Sequence, residues 1–311
     1  MPEYRSPGAL LTGLRRHHAG RIVVFGDVVD DVVVVPKGPI RDDTDTPSSI
    51  RNRAGGSAAN AAAWMASLGA SVDFIGVVGH DDVARHSGLL ARSGVRPHLT
   101  GDPLLPTGAI IVIVDGERRT MLTEKGANQR MTPAAVTDRL LAGAAVLHFT
   151  GYSVFSQESQ ADLRNLFDRA TAHGVRISVD PASAGFIADF GIDNFLDAVA
   201  GAHLFFPNLE EGRILTGLDD PLDIVERLGE RFDIVALTLD TAGVIVAESG
   251  MPTTTVSAVA VPIVDPIGAG DAFAAGFLTA WVTGVGAMAA ASAGARAGAL
   301  AVSTIGGRPR I

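Results

Sequence analysis

The chain has 311 residues, a mean hydropathy of +0.28, a formal net charge of −9 and no cysteine. No run of about 18 uninterrupted apolar residues occurs, so a membrane span is not expected. The lack of cysteine excludes disulfides, thiol catalysis and thiolate metal sites, and it fits a reducing cytoplasm, which is the expected location. The acidic balance argues against nucleic-acid binding.

Residues 1–19 contain basic side chains but no apolar signal-peptide core, and we interpret them as an N-terminal extension. Beyond them, short apolar runs predict strands, and Ala-rich or amphipathic stretches that end at glycine predict helices. In the first third of the chain the strands are expected at 22–25, 32–35 and 72–78, and the helices at 58–68 and 82–92. Residues 37–50 are polar and predict a loop or an exposed edge.

A β-hairpin is predicted over 107–124, because Ile110–Val114 is strongly β-prone and Asp115-Gly116 is a turn signal. Strands then alternate with helices. The strands are expected at 144–149, 175–180, 203–206 and 233–239, and the helices at 133–141, 158–173, 208–215 and 222–229. A second antiparallel hairpin over 243–262 and two helices at 269–282 and 287–303 complete the chain.

Alternating strands and helices imply right-handed βαβ crossovers, hence an α/β domain of three layers around a mostly parallel sheet. The β-rich segments near 30–53 and 107–124 do not follow that alternation. We therefore expect them to form a small sheet that projects from the domain. Such a sheet would cover a site at the carboxyl ends of the strands, where open α/β sheets bind ligands.

Two groups of polar residues follow the first strand and open the first helix. A carboxylate at a strand end either makes a turn or accepts hydrogen bonds from sugar hydroxyls; we favour a turn for Asp27 and ligand binding for Asp31. Gly55 and Gly56 allow a ligand to approach the backbone, and Asn60 offers a donor and an acceptor to a hydroxyl. Taken alone, that second group favours a loop-to-helix turn with Asn60 exposed.

Asn208 and Glu211 lie three residues apart at a predicted helix start, after the apolar run 203–206. An amide and a carboxylate there can hold a hydrated Mg²⁺ that touches phosphate oxygens. They also fit a capping box, with Asn208 as the N-cap and Glu211 at the third helical position. The two interpretations are compatible.

The segment Asp265–Phe273 contains a glycine-rich turn, Gly268-Ala269-Gly270, directly before Asp271 and a predicted helix. Free N–H groups and the positive end of a helix dipole hold an anion at such a turn. Asp271 would repel that anion, so it fits the role of a general base beside a phosphate under attack. Alternatively, Asp271 is the N-cap of the helix. The segment alone supports both interpretations.

Together these motifs resemble the ribokinase-like (PfkB) family of carbohydrate kinases, from about Arg21 to the end of the chain. The C-terminal signature of the family matches Asp265 to Phe273, and its Gly-Gly-x-x-x-Asn signature matches Gly55 to Asn60. Its other motifs match Gly26, Asp27, Asp31, Asn208, Glu211 and the segment Gly126-Ala127-Asn128. Four motifs in the family's order and spacing make the resemblance specific.

The resemblance implies a single ribokinase-like domain over 20–311 with a β-sheet lid, and an ATP-dependent kinase that transfers the γ-phosphoryl to a hydroxyl of a small sugar or sugar derivative. Asp271 would be the base, and Gly268, Ala269 and Gly270 the anion hole. The sugar would be bound by Asp31, Gly55, Gly56 and Asn60. The nucleotide would lie against Asn208, Thr238, Asp240, Gly243 and Gly270, with Mg²⁺ near Asn208 and Glu211. Relatives often form homodimers through the lid.

Two positions depart from the family pattern. Pro266 replaces a common threonine beside Asp265 and the Ile267 carbonyl, where many relatives bind a monovalent cation such as K⁺. Proline lacks an N–H and fixes φ, which disfavours such a cation site, whereas the Asp265 carboxylate and the Ile267 carbonyl remain as ligands. Asp240 replaces a glycine of the motif near the phosphates, where a carboxylate repels a triphosphate unless it turns away or meets a metal.

Three functions remain open: a sugar kinase, a nucleoside kinase of the same family, and a non-catalytic sugar-binding protein on this fold. A base needs apolar or aromatic walls, and aromatic residues make up only 5% of the chain. The expected lid residues are instead polar: Arg51, Asn52, Arg53, Arg118 and Arg119. These features favour a sugar, including an acidic or phosphorylated one, although most of the arginines are better explained as solvated charges on edge strands.

Overall fold

The computed structural model describes residues 20–115, 118–155 and 160–310. The N-terminal extension expected for 1–19 lies outside these residues. Within them, a nine-stranded sheet carries helices on both faces, and a separate four-stranded sheet stands beside it.

The strands, in chain order, are β1 (Arg21–Phe25), β2 (Val29–Pro36), β3 (Ser48–Gly55), β4 (Val72–Gly79), β5 (Arg96–Asp102), β6 (Gly108–Asp115), β7 (Arg118–Glu124), β8 (Ala144–Thr150), β9 (Arg176–Asp180), β10 (Leu204–Phe205), β11 (Ile234–Thr238), β12 (Val244–Glu248) and β13 (Thr254–Val256). The helices are α1 (Ser57–Ser67), α2 (Val83–Arg92), α3 (Asp138–Leu141), α4 (Gly151–Val154), α5 (Gln160–Ala172), α6 (Ala184–Phe190), α7 (Ile192–Ala198), α8 (Leu209–Thr216), α9 (Pro221–Gly229), α10 (Ala269–Trp281) and α11 (Ala287–Val302).

The large sheet has the order β13-β12-β11-β10-β9-β8-β1-β4-β5. Neighbouring strands from β5 to β11 are parallel, and β12 and β13 are antiparallel, which confirms the mostly parallel sheet and the second hairpin. Successive side chains of β1 enter two different cores: Ile22 and Val24 pack with α1, α10 and α11, and Val23 and Phe25 pack with α5 and α7. The central strand is therefore buried on both faces, as in a three-layer α/β/α domain.

The small sheet has the order β3-β2-β6-β7 and is built from the two segments expected to form a lid. β2 and β3 are antiparallel, β6 and β7 form the expected hairpin, and β2 pairs in parallel with β6, with Asp31 opposite Ile110. Since β2 follows β1 after only three residues, the base of this lid lies at the carboxyl end of the large sheet.

Several details differ from the sequence analysis, of which three concern whole elements after β4. β5 was not expected, because Pro97 and Gly101 weaken a strand pattern; both are tolerated at the sheet edge where β5 lies. The segment 184–198 was not expected to be helical, since Gly191, at φ 95°, divides it into two short helices. The helix expected at 133–141 is a 3₁₀ turn followed by the four-residue α3.

Candidate active site

Asp27 caps helix α1 and holds its start against the end of β1. Its carboxylate accepts hydrogen bonds from the N–H groups of Ser57 (2.7 Å) and Ala58 (3.1 Å) and from the Thr150 hydroxyl (3.3 Å). Burial raises the pKa of Asp27, and these donors partly offset that effect. The carboxylate fixes the helix start that carries Ser57 and Asn60, so it positions the site.

Two further carboxylates, Asp30 and Asp31, follow Asp27 in the sequence, and they point in different directions. Asp30 is bound by both terminal nitrogens of Arg85, at 2.8 and 2.6 Å. Asp31 lies on the opposite face of β2, where it lines a cavity under the lid. Burial raises the pKa of Asp31 to about 6, opposed by the charge of Arg308. The geometry therefore separates an ion-paired Asp30 from an Asp31 that is available to a ligand.

The Gly55-Gly56 pair is required by the backbone and by its neighbours. A Cβ at Gly55 would meet the Asp31 carboxylate, and one at Gly56 would lie 2.5 Å from the Asp27 carbonyl. Gly56 also has φ 95°, in the region that favours glycine. The two glycines thus let β3 turn into α1 directly against Asp27 and Asp31.

Asp271 lies in the first turn of α10, and two side chains of α1 hold its carboxylate. Ser57 donates its hydroxyl to Oδ1 at 2.6 Å, and Asn60 donates from Nδ2 to Oδ2 at 3.0 Å. Burial, reinforced by nearby Asp180, raises the pKa of Asp271 to about 8, and the two donors oppose this shift. Asn60 is buried, so it is not the exposed turn residue of the alternative interpretation, and Asp271 does not cap its helix, because Gly268 holds the N-cap position.

Residues 305–308, after the last helix, pack directly against this carboxylate network. Arg308 donates from Nη2 to the Gly55 carbonyl at 2.8 Å and from Nε to Asn60 Oδ1 at 3.3 Å. Its Nη1 is buried without a hydrogen-bond partner among the described residues, and burial lowers the pKa of Arg308 to about 10. The indole of Trp64 donates to the Gly307 carbonyl at 2.9 Å. The contacts orient the Asn60 amide so that Nδ2 faces Asp271.

The glycine-rich turn before Asp271 has an open, helix-starting geometry. Gly268 adopts φ 78°, and a Cβ there would lie 2.6 Å from the Gly307 Cα. The N–H of Ala269 is donated to the Pro266 carbonyl at 3.2 Å, whereas no such backbone acceptor is found in the described chain for Gly268 and Gly270. We therefore expect Gly268 and Gly270, rather than Ala269, to offer their N–H groups to an anion.

A second cavity of about 210 Å³ lies beside this turn. Glu211 and Asn208 form the expected capping box there, with Asn208 Oδ1 accepting from Glu211 N–H and Glu211 Oε2 accepting from Asn208 N–H, each at 2.9 Å. Asp180, at the end of β9, joins them in the cavity wall. Burial raises the pKa of both carboxyls, and the charge of Glu211 raises that of Asp180 further. Two buried carboxylates in the wall of one cavity favour the binding of a cation between them.

Sequence reasoning did not single out Asp180, although a signal existed. Asp180 follows an apolar strand and precedes Pro181, so it ends β9 as Asp27 follows β1. Ser57, inside the glycine motif, was also not assigned a role.

The cavity under the lid, which we call the acceptor pocket, has about 200 Å³. Its wall combines polar residues of α1 and β2 with apolar and aromatic side chains: Asp27, Val29, Asp31, Gly56, Ser57, Asn60, Ile110, Val112, Met121, Thr123, Lys125, Asn128, Tyr152, Ala182, Phe186, Ile267 and Asp271.

Of the polar lid residues expected near a ligand, Arg51, Asn52, Arg53 and Arg119 do not line the acceptor pocket. The lid faces that pocket with Ile110, Val112, Met121 and Thr123. Arg53 instead donates to the Ile305 carbonyl at 3.0 Å, and Arg51 and Asn52 are exposed. The side chain of Arg118 lies outside the described ones. The low aromatic content of the whole chain did not indicate the composition of the pocket wall. Tyr152 and Phe186 lie together in that wall, with ring centroids 5.7 Å apart.

A family model described as pfkB family carbohydrate kinase matches residues 19–310. The chain belongs to this family. Its fold and the order of its motifs therefore confirm the resemblance seen in the sequence. As a pfkB protein it is a member of a family of kinases, which are phosphotransferases that act on carbohydrates.

The chain is also similar to individual kinases in sequence and in fold. An ATP-dependent ribose-1-phosphate kinase from Halopiger xanaduensis is 33% identical over 276 residues, which cover 85% of each chain. A probable sugar kinase from Rhizobium etli has a TM-score of 0.84 at 23% identity, covering 95% of this chain and 96% of that one. An E. coli protein assigned as ribokinase II, solved with ATP and Mg²⁺, has a TM-score of 0.81 at 21% identity, covering 93% and 94%.

The residue that departs from the pfkB phosphate motif turns away from the second cavity. Asp240 is exposed, at φ 48°, in a 3₁₀ turn, and it does not line the cavity that contains Asp271. Thr238 does line that cavity. Gly243 has φ 104°, and a Cβ there would meet the Val256 carbonyl, so its role in the described structure is to let β12 begin beside β13. The carboxylate of Asp240 is thus exposed and outside the wall of that cavity.

The Asp265 carboxylate, expected at a monovalent-cation site of the pfkB fold, is already engaged by protein donors. Oδ1 accepts from the Ile267 N–H at 3.1 Å, and Oδ2 accepts from the Gly306 N–H at 3.0 Å. Nη2 of the lid residue Arg119 lies 3.8 Å from Oδ1. Since a guanidinium already faces this carboxylate, the arrangement does not fit a cation held by Asp265.

Among the described residues, no helix has the length and hydrophobicity that crossing a membrane requires.

Proposed function

We propose that this pfkB protein is an ATP-dependent kinase that transfers the γ-phosphoryl of ATP to a hydroxyl of a small sugar or sugar derivative. One observation carries the proposal: Asp271 and Ser57 line both the acceptor pocket and the second cavity. A carboxylate at the junction of two cavities can take a proton from an acceptor in one while a phosphoryl group approaches from the other. We therefore call the second cavity the phosphate cavity.

In the proposed reaction, Asp271 accepts the proton of the acceptor hydroxyl as the hydroxyl oxygen attacks the γ-phosphorus. The bond between the γ-phosphorus and the bridging oxygen breaks, and ADP leaves with that electron pair. The N–H groups of Gly268 and Gly270, at the start of α10, stabilise negative charge on the transferred phosphoryl. Ser57 and Asn60 keep the Asp271 carboxylate oriented toward the acceptor.

The phosphate cavity also fits Mg²⁺. Asp180 and Glu211 place two buried carboxylates in its wall, and the capping box uses only one oxygen of Glu211. Mg²⁺ bound with ATP prefers oxygen ligands, retains waters and neutralises phosphate charge. Asn208, whose side-chain oxygen is used by the cap, would act mainly by fixing Glu211. We propose no monovalent cation, because Asp265 is already paired.

Ribose 1-phosphate is the first acceptor to test, because the relative at 33% identity is named as a kinase of that compound. A nucleoside kinase is the second candidate, and a specific observation favours it: the aromatic side chains of Tyr152 and Phe186 line the acceptor pocket. Aromatic walls of this kind suit the planar base of a nucleoside.

ADP release should be measured with ribose, ribose 1-phosphate, hexoses and nucleosides, with Mg²⁺ and after its removal by a chelator. We expect turnover with at least one sugar or sugar phosphate and its loss without Mg²⁺. Turnover with nucleosides alone would replace the sugar proposal by the second candidate. If sugars bind in calorimetry but no acceptor is phosphorylated, the kinase proposal fails and the protein is a non-catalytic sugar-binding member of the fold.

We also propose that two chains associate through the outer face of the lid. Ile110 and Val112 line the acceptor pocket, so Ile111 points to the outer face. Strand register places it directly opposite Leu122. Ile111 is 39% and Leu122 52% exposed, and burial of these side chains in a second copy would stabilise a dimer.

A further inference from the structure

Lys125 is the only cationic side chain in the wall of the acceptor pocket as far as the described residues extend. The same wall contains Asp27, Asp31 and Asp271. Lysine is scarce in this chain: only Lys37 and Lys125 occur, among 25 lysines and arginines in total. The compact ammonium at the pocket is therefore unusual in a chain whose basic side chains are nearly all arginine.

The backbone of Lys125 is firmly placed at the base of the lid, directly after β7. Its carbonyl accepts from both Nδ2 and the backbone N–H of Asn128, each at 3.1 Å. Asn128 is itself buried and bridges to the start of β2, because its Oδ1 accepts from Val28 N–H at 3.1 Å. The side chain thus extends from a rigid point into the pocket wall.

The ammonium of Lys125 has a hydrogen-bond partner but no counter-ion among the residues that the structure describes. Nζ donates to the Phe155 carbonyl at 3.2 Å and lies 5.9 Å from the centre of the Phe186 ring. In the described part of the chain, no carboxylate forms an ion pair with it. An ammonium has three donors, so two remain for a ligand. A charge in a partly apolar wall gains most from a partner of opposite charge.

Lys125 and the proposed base occupy different parts of the acceptor pocket. The contacts of Lys125 are Phe155 and Phe186, whereas those of Asp271 are Ser57 and Asn60. A ligand whose hydroxyl faces Asp271 can therefore place another substituent near Lys125. An anionic substituent there would be kept away from the repelling carboxylate of Asp271.

We infer that Lys125 binds an anionic substituent of the acceptor, a phosphate or a carboxylate, and thereby selects charged sugar derivatives over neutral sugars. The inference deepens the proposed function and rests on it for the identity of the acceptor pocket. The substituent is held by the ammonium while a separate hydroxyl of the same molecule faces Asp271. Lys125 is then a specificity-determining residue, acting on substrate binding rather than on phosphoryl transfer.

The scarcity of lysine allows a direct test without turnover. The full-length protein is acylated with an amine-reactive reagent, and modification of Lys125 and Lys37 is followed by mass spectrometry. Lys37 is exposed in the lid and serves as the internal reference. We expect ribose 1-phosphate to slow the modification of Lys125 about tenfold or more, ribose to slow it little, and Lys37 to be unaffected. Equal modification of Lys125 with and without saturating ribose 1-phosphate would overturn the inference.

Ribonate, which carries a carboxylate in place of the phosphate, distinguishes the two anionic groups. Protection by ribose 1-phosphate alone assigns a phosphate site, and protection by both assigns a general anion site. Protection by ribose as strong as that by either anion contradicts the inference, because it would show that any occupant covers Lys125.

Kinetics of Lys125→Met, Lys125→Arg and the control Lys37→Met supply the second test. We expect Lys125→Met to raise KM for the anionic acceptor about 10- to 100-fold with little change in kcat. Lys125→Arg should recover most of that loss, and Lys37→Met should resemble the wild type. An equal loss for ribose and for ribose 1-phosphate would assign Lys125 a structural role and contradict the inference.

The two proposals fail in different ways. If no acceptor is phosphorylated but ribose 1-phosphate still protects Lys125, the kinase proposal fails and the anion site stands. If neutral sugars are phosphorylated with a lower KM than their phosphates, the kinase proposal stands and the role of Lys125 fails.

Discussion

Asp271 is held in an environment that opposes its negative charge. Burial and the neighbouring Asp180 raise its pKa, whereas Ser57 and Asn60 donate hydrogen bonds that favour the charged form. The balance leaves a carboxylate whose pKa is about 8, well above that of an ordinary aspartate. A stronger base than a solvated carboxylate, held in fixed orientation, suits proton removal from a hydroxyl.

The first prediction concerns pH. Asp271 accepts a proton only when it is charged, and its pKa is about 8, so activity should fall as pH decreases through that value. We expect kcat/KM for the acceptor to decrease by about tenfold per pH unit below the pKa and to level off above it. The measurement is kcat/KM between pH 6 and 9.5 at saturating ATP. A constant value across that range would contradict the assignment.

The second prediction concerns Arg308, which touches Asn60 and Gly55 but not Asp271. Replacing it by methionine should release the Asn60 amide, lower kcat by about tenfold and move the acidic limb of the pH profile upward, because Asp271 would lose part of its hydrogen bonding. Added guanidinium should restore part of the activity. The exposed Arg310 provides the control, and Arg310→Met should behave as wild type. An unchanged pH profile in Arg308→Met would remove the positioning role.

Local sequence patterns drew attention to most residues of the candidate site: Asp31 lies near the start of β2, and Asn60, Glu211 and Asp271 lie in the first turns of helices. Arg308 could not be found in this way. Its contact with Asn60 joins residues 248 positions apart, and nothing around it is periodic or glycine-rich enough to mark a site. A long-range side-chain contact leaves no local signal.

At the level of elements, the start of α1 is the point on which the site depends. Asp27 caps it, Gly56 turns into it, and Ser57 and Asn60 extend from it to Asp271. Because Asp27 holds the first N–H groups of α1, it also fixes the positions of Ser57 and Asn60 in the wall of the acceptor pocket.

Gly56→Ala should destabilise the protein by about 2 kcal/mol or more, because a Cβ would both strain φ 95° and crowd the Asp27 carbonyl. Gly69→Ala is the matched control: Gly69 has φ 101° but open space around it, so only the backbone strain, about 1 kcal/mol, is expected. Chemical denaturation measures both free energies of unfolding. Equal losses in the two variants would show that crowding at Gly56 is unimportant.

Sequence periodicity predicted the buried parallel strands and long helices well, and short elements poorly. β1, β4 and α10 have strong apolar patterns and were expected. β5 depends on pairing with β4 rather than on its own polar sequence. α6 and α7 have seven residues each, too few for a helical period to be recognised beside Gly191.

On the scale of the whole molecule, the lid has two faces with different tasks. The inner face closes the acceptor pocket with Ile110, Val112 and Met121, and the outer face exposes Ile111 and Leu122. Because successive side chains of a strand point to opposite faces, Ile111 of β6 lies on the outer face and its neighbours Ile110 and Val112 lie on the inner face.

We predict a dimer in solution, measured by light scattering coupled to size-exclusion chromatography. Leu122→Glu should shift the protein toward monomers, because it places a charge in the proposed interface. Leu222→Glu is the control, since Leu222 is 50% exposed on α9, outside the lid sheet. A monomeric wild type, or equal behaviour of the two variants, would contradict association through the lid.

The most direct measurement of the central claim is the rate of phosphoryl transfer by Asp271→Asn on the acceptor that the wild type uses. The account predicts that kcat falls by about 10²- to 10⁴-fold, because the amide cannot accept the proton. Acceptor binding by calorimetry should change little, and the variant should unfold at no lower temperature than the wild type at pH 8, since a buried charge is removed. A kcat within a few-fold of the wild type would contradict the role of Asp271 as the base.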